Sequence, residues 1–358
     1  MIAVSSVLRR VLYPAMSGAR IFPRRVHAGE VCVVTYHGVL PAGWTPAPSP
    51  IEGTLISAEQ FRRQLRFLKS RYNVIAPDAF RSWLKGETAL PPRPVLLTCD
   101  DGLLNVLTDM LPILLEEGAR CLFFVTAASI EDETECLWYE ELYRMLEDAP
   151  GDAEVVVTGQ FPSKDSRAEK NLVAIWWSLV EELSNLNAEG RKKSLQSLRT
   201  QWRLPGGWRI SQDERSARRY KLLNRDELVQ LSKQGMTIGA HTLSHPLLAK
   251  MQAELAEQEI RECKTRLESH LQHEVWALAY PFGHKGSANE REMAIAEQAG
   301  YACAFLNCGG GLLRRTTPRF ALSRAHVTSH MSLPELDAHL SGFHHSLQTA
   351  VRGSGSPS

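Results

Sequence analysis

The chain has 358 residues, enough for one large α/β domain or two ordinary ones, either with a sizeable buried core. Its 44% hydrophobic and 23% charged content is that of a soluble globular protein, and 41 Lys and Arg against 40 Asp and Glu leave a formal charge of +1, which gives no ground for a nucleic-acid binder. No apolar run reaches the roughly 18 residues that span a bilayer.

Residues 1–29 stand apart. They hold Arg9, Arg10, Arg20, Arg24 and Arg25, and no acid occurs before Glu30. Val4, Val7, Leu8, Val11 and Leu12 fall at helical spacing with Arg9 and Arg10 turned away. A helix lying on a membrane surface and an organellar transit peptide both have this pattern; a partly ordered basic leader is the plainer alternative. A secretory signal is not expected, because the segment lacks a continuous apolar core of about 7–15 residues.

From residue 30 onward strand and helix patterns alternate. Residues 31–36 read as a strand and 58–69 as a helix, with Ser57 and Gln60 forming an S-x-x-Q capping box. Strands follow at 74–76, 95–99 and 121–125, the last two separated by a helix at 107–117 that stops at Gly118. Residues 131–223 break the rhythm with helical stretches at 138–146, 170–183 and 188–202, a strand-like 155–157, and five of the eight tryptophans: Trp138, Trp176, Trp177, Trp202 and Trp208. This insertion reads either as a lid or substrate-binding subdomain with aromatic stacking surfaces, or as a helical appendage whose tryptophans are its own core. The alternation resumes with a helix at 224–234 (Asn224 cap, Gly235 stop) and a strand at 237–240. A helix at 255–271 carries Ile260, Cys263, Leu267 and Leu271 as one apolar stripe. A strand at 276–280, a helix at 290–298 and strands at 302–305 and 320–327 complete the set. Such βα alternation predicts a parallel sheet, closed into a (β/α) barrel if seven or eight repeats are present, with chemistry at the C-terminal ends of the strands. The expected layout is a leader over 1–29, a barrel domain over 30–345 containing the insertion, and a disordered tail over 346–358. Seven cysteines without a CxxC pair, four of them (Cys32, Cys99, Cys121 and Cys303) in apolar strand-like runs, fit a reducing compartment. Cytoplasmic localisation, with association at a membrane surface, is the corresponding expectation.

Two motifs fall at strand ends. Thr98-Cys99-Asp100-Asp101-Gly102 follows the apolar Val95, Leu96 and Leu97, and His241-Thr242-Leu243-Ser244-His245 follows Gly239 and Ala240. Adjacent carboxylates leave a strand in different directions, so one can bind a metal while the other serves as a base. Imidazoles four residues apart meet on one helical turn. Asp101, His241 and His245 would leave positions open for water and substrate, as a catalytic zinc site requires.

In this order the motifs resemble the polysaccharide deacetylase (NodB-homology) family, carbohydrate esterase family 4, over roughly residues 31–128 and 222–330. TCDDG stands where the family has T-F-D-D-G, and HTLSH matches H-[ST]-x-x-H. The resemblance implies a distorted (β/α) barrel and a metal-dependent hydrolase that removes N-acetyl groups from amino sugars of a polysaccharide, oligosaccharide or lipid-linked glycan. Asp100 would be the general base, and Asp101, His241 and His245 the ligands of a divalent metal, zinc being the first candidate. The third motif departs: where many members have R-x-P-[FYW]-G, this chain has Ala279-Tyr280-Pro281-Phe282-Gly283, so the arginine that orients the base is absent from its slot. Phe282 is the carried-over candidate for an oxyanion-binding N–H, and His326 for the general acid. Tyr280, Pro281, His37 (in Thr35-Tyr36-His37-Gly38-Val39) and Arg324 are candidates to line the substrate site. Two other readings stay open: a deformylase or other amidohydrolase acting on a lipid-linked or small sugar amide, and a catalytically silent carbohydrate-binding homologue.

Overall fold

The computed structural model describes residues 7–41, 43–44, 49–131, 136–150, 169–211, 213–284 and 286–347. Strands occur at β1 (Val31–Tyr36), β2 (Val39–Leu40), β3 (Ile56–Ser57), β4 (Asn73–Ile75), β5 (Pro94–Cys99), β6 (Leu122–Val125), β7 (Thr237–Ala240), β8 (Ala277–Ala279), β9 (Cys303–Leu306), β10 (Leu312–Leu313), β11 (Leu322–Ser323) and β12 (Ala325–His326). β1, β5, β6, β7, β8, β9 and β11 pair side by side, all parallel. β12 then pairs in parallel with β1. Residues 322–326 therefore form one divided stave that lies on β9 with its first half and on β1 with its second, nearly closing a barrel. β4 adds to β5, and β10 runs antiparallel to the start of β1. β1, β5 and β6 are buried along their whole length, which is why their sequences are continuously apolar rather than alternating.

The surrounding helices begin and end where short-range chemistry directs. Ser57 Oγ accepts the Gln60 N–H at the start of Ala58–Arg71, and Asn224 and Glu227 form a reciprocal capping box before Arg225–Lys233. The helix Ala253–Leu271 buries Ile260, Cys263 and Leu267 against the barrel. Helices beyond the sequence reading include Pro77–Lys85 and Leu333–Leu340, each with proline in its first turn. The expected strand at 320–327 is interrupted at Arg324, whose two flanks pair with different neighbours. Among the described residues no disulfide forms, and Cys32, Cys99, Cys121 and Cys303 are buried.

The insertion folds into the helices Trp138–Asp148, Glu169–Leu183, Ala188–Gln201 and Glu214–Tyr220. Its strand-like 155–157 lies outside the described residues, as do most of the tail and Val4 of the leader. The insertion has its own apolar core around Leu142, Met145, Val180, Trp202 and Trp208. The leader is helical over Leu8–Leu12, Tyr13–Gly18 and Ile21–Arg24. Tyr13 and Phe22 bury themselves against Ala338 of Leu333–Leu340, and Ser17 Oγ donates to Asp337 Oδ2 at 2.7 Å. No described helix is long and apolar enough to cross a membrane.

Candidate active site

Asp100 and Asp101 leave the end of β5 in opposite directions. Gly102 makes that turn possible: its φ is +78°, and a Cβ there would lie 2.8 Å from Val125 Cγ1. Asp101, Thr242, His245 and Phe282 also have positive φ, between +57° and +78°. Backbone strain is thus concentrated at the ends of β5, β7 and β8, as is usual where function fixes geometry.

Asp101 Oδ1 stands 3.4 Å from Nε2 of His241 and 3.4 Å from Nε2 of His245. The residues of this trio are all buried, with one ligand atom from each inside a 4.8 Å span. His241 Nδ1 lies 2.8 Å from the Ala279 carbonyl. A carbonyl can only accept, so Nδ1 carries the proton and Nε2 presents its lone pair to Asp101. Lone-pair donors converging at such separations repel one another unless a cation sits among them. Tetrahedral ligands about 2.0–2.2 Å from zinc stand roughly 3.4 Å apart, so the trio fits a divalent metal. Burial alone would raise the Asp101 carboxyl, whereas His241 and His245, whenever they carry protons on Nε2, hold it well below the usual carboxylate range. The histidines do not meet on a helical turn as their spacing suggested. Residues 241–247 form a loop, in which the His245 N–H donates to Thr242 Oγ1 at 3.0 Å.

Asp100 faces the other way. Arg324 Nη1 and Nη2 donate to its two carboxylate oxygens, each at 2.6 Å, and Nη1 also reaches Thr98 Oγ1 at 3.2 Å. Both residues are almost wholly buried. Burial pushes the Asp100 carboxyl up, yet the charge of Arg324, with His241 and the Arg324 hydrogen bonds, brings it below its ordinary value. Arg324 was expected to line the substrate site; it is instead the arginine missing from position 279, supplied from the seam between β11 and β12.

A cavity of about 230 Å³ opens over these groups. Its lining includes His37, Phe282, Asn307 and His326 from the barrel, and Tyr139, Glu140, Trp176 and Trp177 from the insertion. Tyr139 packs on His245 and Phe282, with ring centroids 4.8 and 5.3 Å apart, and Trp177 meets Phe282 edge-on at 5.4 Å. The insertion's tryptophans divide: Trp202 and Trp208 lie in its core, Trp176 belongs to that core and also lines the cavity, and Trp177 lines the cavity. His326 packs against His37, the rings tilted by 54° with centroids 4.9 Å apart, and burial together with His37 presses its imidazole down to about 3. Tyr280 lies behind the cavity wall, buried in the barrel core, with its hydroxyl donating to the Phe320 carbonyl at 3.1 Å. Pro281 is buried beside it and does not line the cavity.

Glu140 was not foreseen. It is buried, Arg219 Nη2 donates to its Oε1 at 2.9 Å, and Oε2 has no hydrogen-bond partner among the described residues. Burial pushes its carboxyl up to about 7 against the pull of Arg219. His37 Nδ1, Asn307 Oδ1 and His326 Nε2 are likewise unpartnered. Buried polar atoms without partners on one cavity mark where a polar ligand satisfies them.

The insertion also grips the histidine loop from outside. Trp138 Nε1 donates to the His245 carbonyl at 2.9 Å, Ser184 Oγ accepts the Leu247 N–H at 3.0 Å, and Arg191 reaches Ser244 and Glu259.

Residues 204–304 match the family model for polysaccharide deacetylases. No curated protein sequence matches the chain. Among solved structures it is similar to the deacetylase PplD of Streptococcus pyogenes in complex with acetate (16% identity, TM-score 0.56, 88% of this chain and 99% of that one). It is similar also to IcaB from Ammonifex degensii (17%, 0.53, 87% and 97%) and to a de-N-acetylase from Aggregatibacter actinomycetemcomitans (13%, 0.54, 87% and 100%). At these identities the structures speak for the fold, and the sequence match covers the stretch that carries both histidines. The family model matches under a third of the chain, and beyond that stretch the likeness to these deacetylases is one of fold.

Proposed function

We propose that this protein is a metal-dependent deacetylase that removes N-acetyl groups from the amino sugars of a polysaccharide, oligosaccharide or lipid-linked glycan. The observation that carries the reading is the division of labour between adjacent carboxylates: Asp101 converges with His241 and His245, while Asp100 is kept ionised by Arg324. Asp101, His241 and His245 would hold the metal, zinc being the best match to two imidazole nitrogens and one carboxylate. When bound, such an ion makes water more acidic and polarises a carbonyl.

The remaining chemistry belongs to the chain. Asp100, ionised and fixed by two hydrogen bonds, takes the proton of the attacking water. The Phe282 N–H supports the oxyanion that develops on the acetamide. His326, neutral at rest, takes over the proton that Asp100 has drawn from water and passes it to the departing amine, which leaves Asp100 ionised again. Tyr139, Trp176, Trp177 and Phe282 offer faces for sugar rings, and Glu140 and Asn307 offer oxygens for hydroxyls. An ionised base argues against a silent binder, which has no use for one.

The test is mass spectrometry of products from a panel of N-acetylated and N-formylated sugars, with metal content measured on the same preparations. Acetyl loss is expected. Asp101→Asn, His241→Ala and His245→Ala should each lose most metal and activity together, while Asp100→Asn keeps metal and loses at least about a hundredfold in turnover. Stoichiometric metal in the triple variant, or formyl loss alone, would overturn the reading.

A further inference from the structure

We propose that the outward face of the N-terminal segment docks on an anionic lipid bilayer. The segment has two unlike sides. Tyr13 and Ser17 hold it to the helix Leu333–Leu340, where Asp337 also accepts from Arg71 Nη1 at 3.0 Å and from the Tyr72 hydroxyl at 2.6 Å. With its inner side fixed in this way, the segment is a built part of the domain surface rather than a loose leader.

Where Tyr13 and Ser17 turn inward, Val7, Val11, Leu12 and Ile21 of the same segment remain between 37% and 62% exposed. Among the described residues only six large apolar side chains are this exposed, and the other two, Leu115 and Leu186, lie elsewhere in the chain. Scattered exposed aliphatics are ordinary, but four gathered in one short segment mark an interaction surface.

Charge identifies the occupant. Residues 1–29 contribute five arginines and no acid to a chain of net +1, so this segment is strongly positive while the rest of the protein is net negative. Arg10, Arg20, Arg24 and Arg25 are exposed; Arg9 pairs with Glu335 at 2.9 Å. Beside the segment, Arg25, His27, Arg314 and His345 line a cleft of about 270 Å³ whose only acid is Glu30. Aliphatic side chains flanked by arginines match the boundary between acyl chains and anionic headgroups, where each arginine near the surface adds roughly fivefold to binding.

Co-sedimentation of the full-length protein with vesicles tests this, and it needs no sugar substrate, so its outcome is independent of the proposed activity. Binding is expected to phosphatidylcholine vesicles containing phosphatidylglycerol and not to phosphatidylcholine alone, and it should weaken with salt. Arg10→Gln, Arg20→Asn and Arg24→Gln together should weaken it by roughly a hundredfold; asparagine is chosen at 20 because φ there is +55°. Val7→Asn with Val11→Asn should weaken it comparably, with melting temperature unchanged in both variants. Equal binding to the two vesicle types, or no loss in either variant, would overturn the proposal. A dimer in vesicle-free solution that the valine variant dissociates would also overturn it, by giving the face to a second copy of the chain.

Discussion

A buried carboxylate keeps its charge only if something nearby stabilises it, and for Asp100 that is Arg324, 224 positions along the chain. Asp100 and Asp101 were legible in the sequence because a strand followed by two acids and a glycine is a local pattern, and so were His241 and His245. Arg324 could be picked out as a strand-end polar residue, but the vacancy at Ala279 and its remedy in Leu322-Ser323-Arg324-Ala325-His326 are linked only by the fold. Glu140 gave no signal, because its unpartnered oxygen and its burial are products of packing. Arg324→Lys should retain the fold, since a cation remains beside Asp100. It loses the bidentate grip, so the Asp100 carboxyl rises and the acidic limb of the kcat/KM profile moves to higher pH. An unshifted limb in a folded, metal-loaded variant would mean that Arg324 is purely structural. His326→Ala separates proton donation from packing: amide hydrolysis should fall by about a hundredfold or more, while an activated phenyl ester, whose leaving group is stable as an anion, should be nearly unaffected. Equal losses on both substrates would demote His326 to packing.

The elements with strong local signals were read within a few residues, namely the parallel strands and the helices Ala58–Arg71, Arg225–Lys233 and Ala253–Leu271. The helices Pro77–Lys85 and Leu333–Leu340 were missed, although a first-turn proline marks each. The loop at 241–247 shows how spacing can yield the right contact through the wrong conformation. Its imidazoles meet because the chain turns through positive φ at Thr242 and His245, a geometry held by contacts from the insertion that no local pattern encodes. Trp138 makes one of those contacts. Trp138→Phe keeps the ring but leaves the His245 carbonyl without its donor, a loss of about 1–1.5 kcal/mol, so metal affinity should fall by roughly tenfold. Calorimetric titration of the metal-free protein would show it; unchanged affinity would mean that the loop holds its shape unaided.

For the whole molecule, the leader and the helix Leu333–Leu340 behave as one packed unit, and that unit carries a pH liability. His339 stacks on His344 at 3.9 Å, and burial, His344 and Arg9 push its imidazole down to about 3; His326 is depressed similarly in the cavity. Such a histidine stays neutral in the folded protein, whereas the unfolded chain takes up a proton near pH 6.5. The unfolded state therefore binds more protons between about pH 6.5 and 3, and stability present above that window is lost as pH falls through it. Melting temperature should drop on acidification from pH 7 to 5, and His339→Gln should flatten the slope; a slope unchanged by that substitution would place the liability elsewhere. The divided stave at 322–326 has a different consequence. Its ladders to β9 and β1 are two residues long on each side, and the arginine between them neutralises Asp100. With Asp100 as the proposed base, fastening the barrel and arming that base are a single event, and a fluctuation that unzips this seam should disarm the proposed activity while the other staves remain paired. Turnover then works as a gauge of how tightly the barrel is shut.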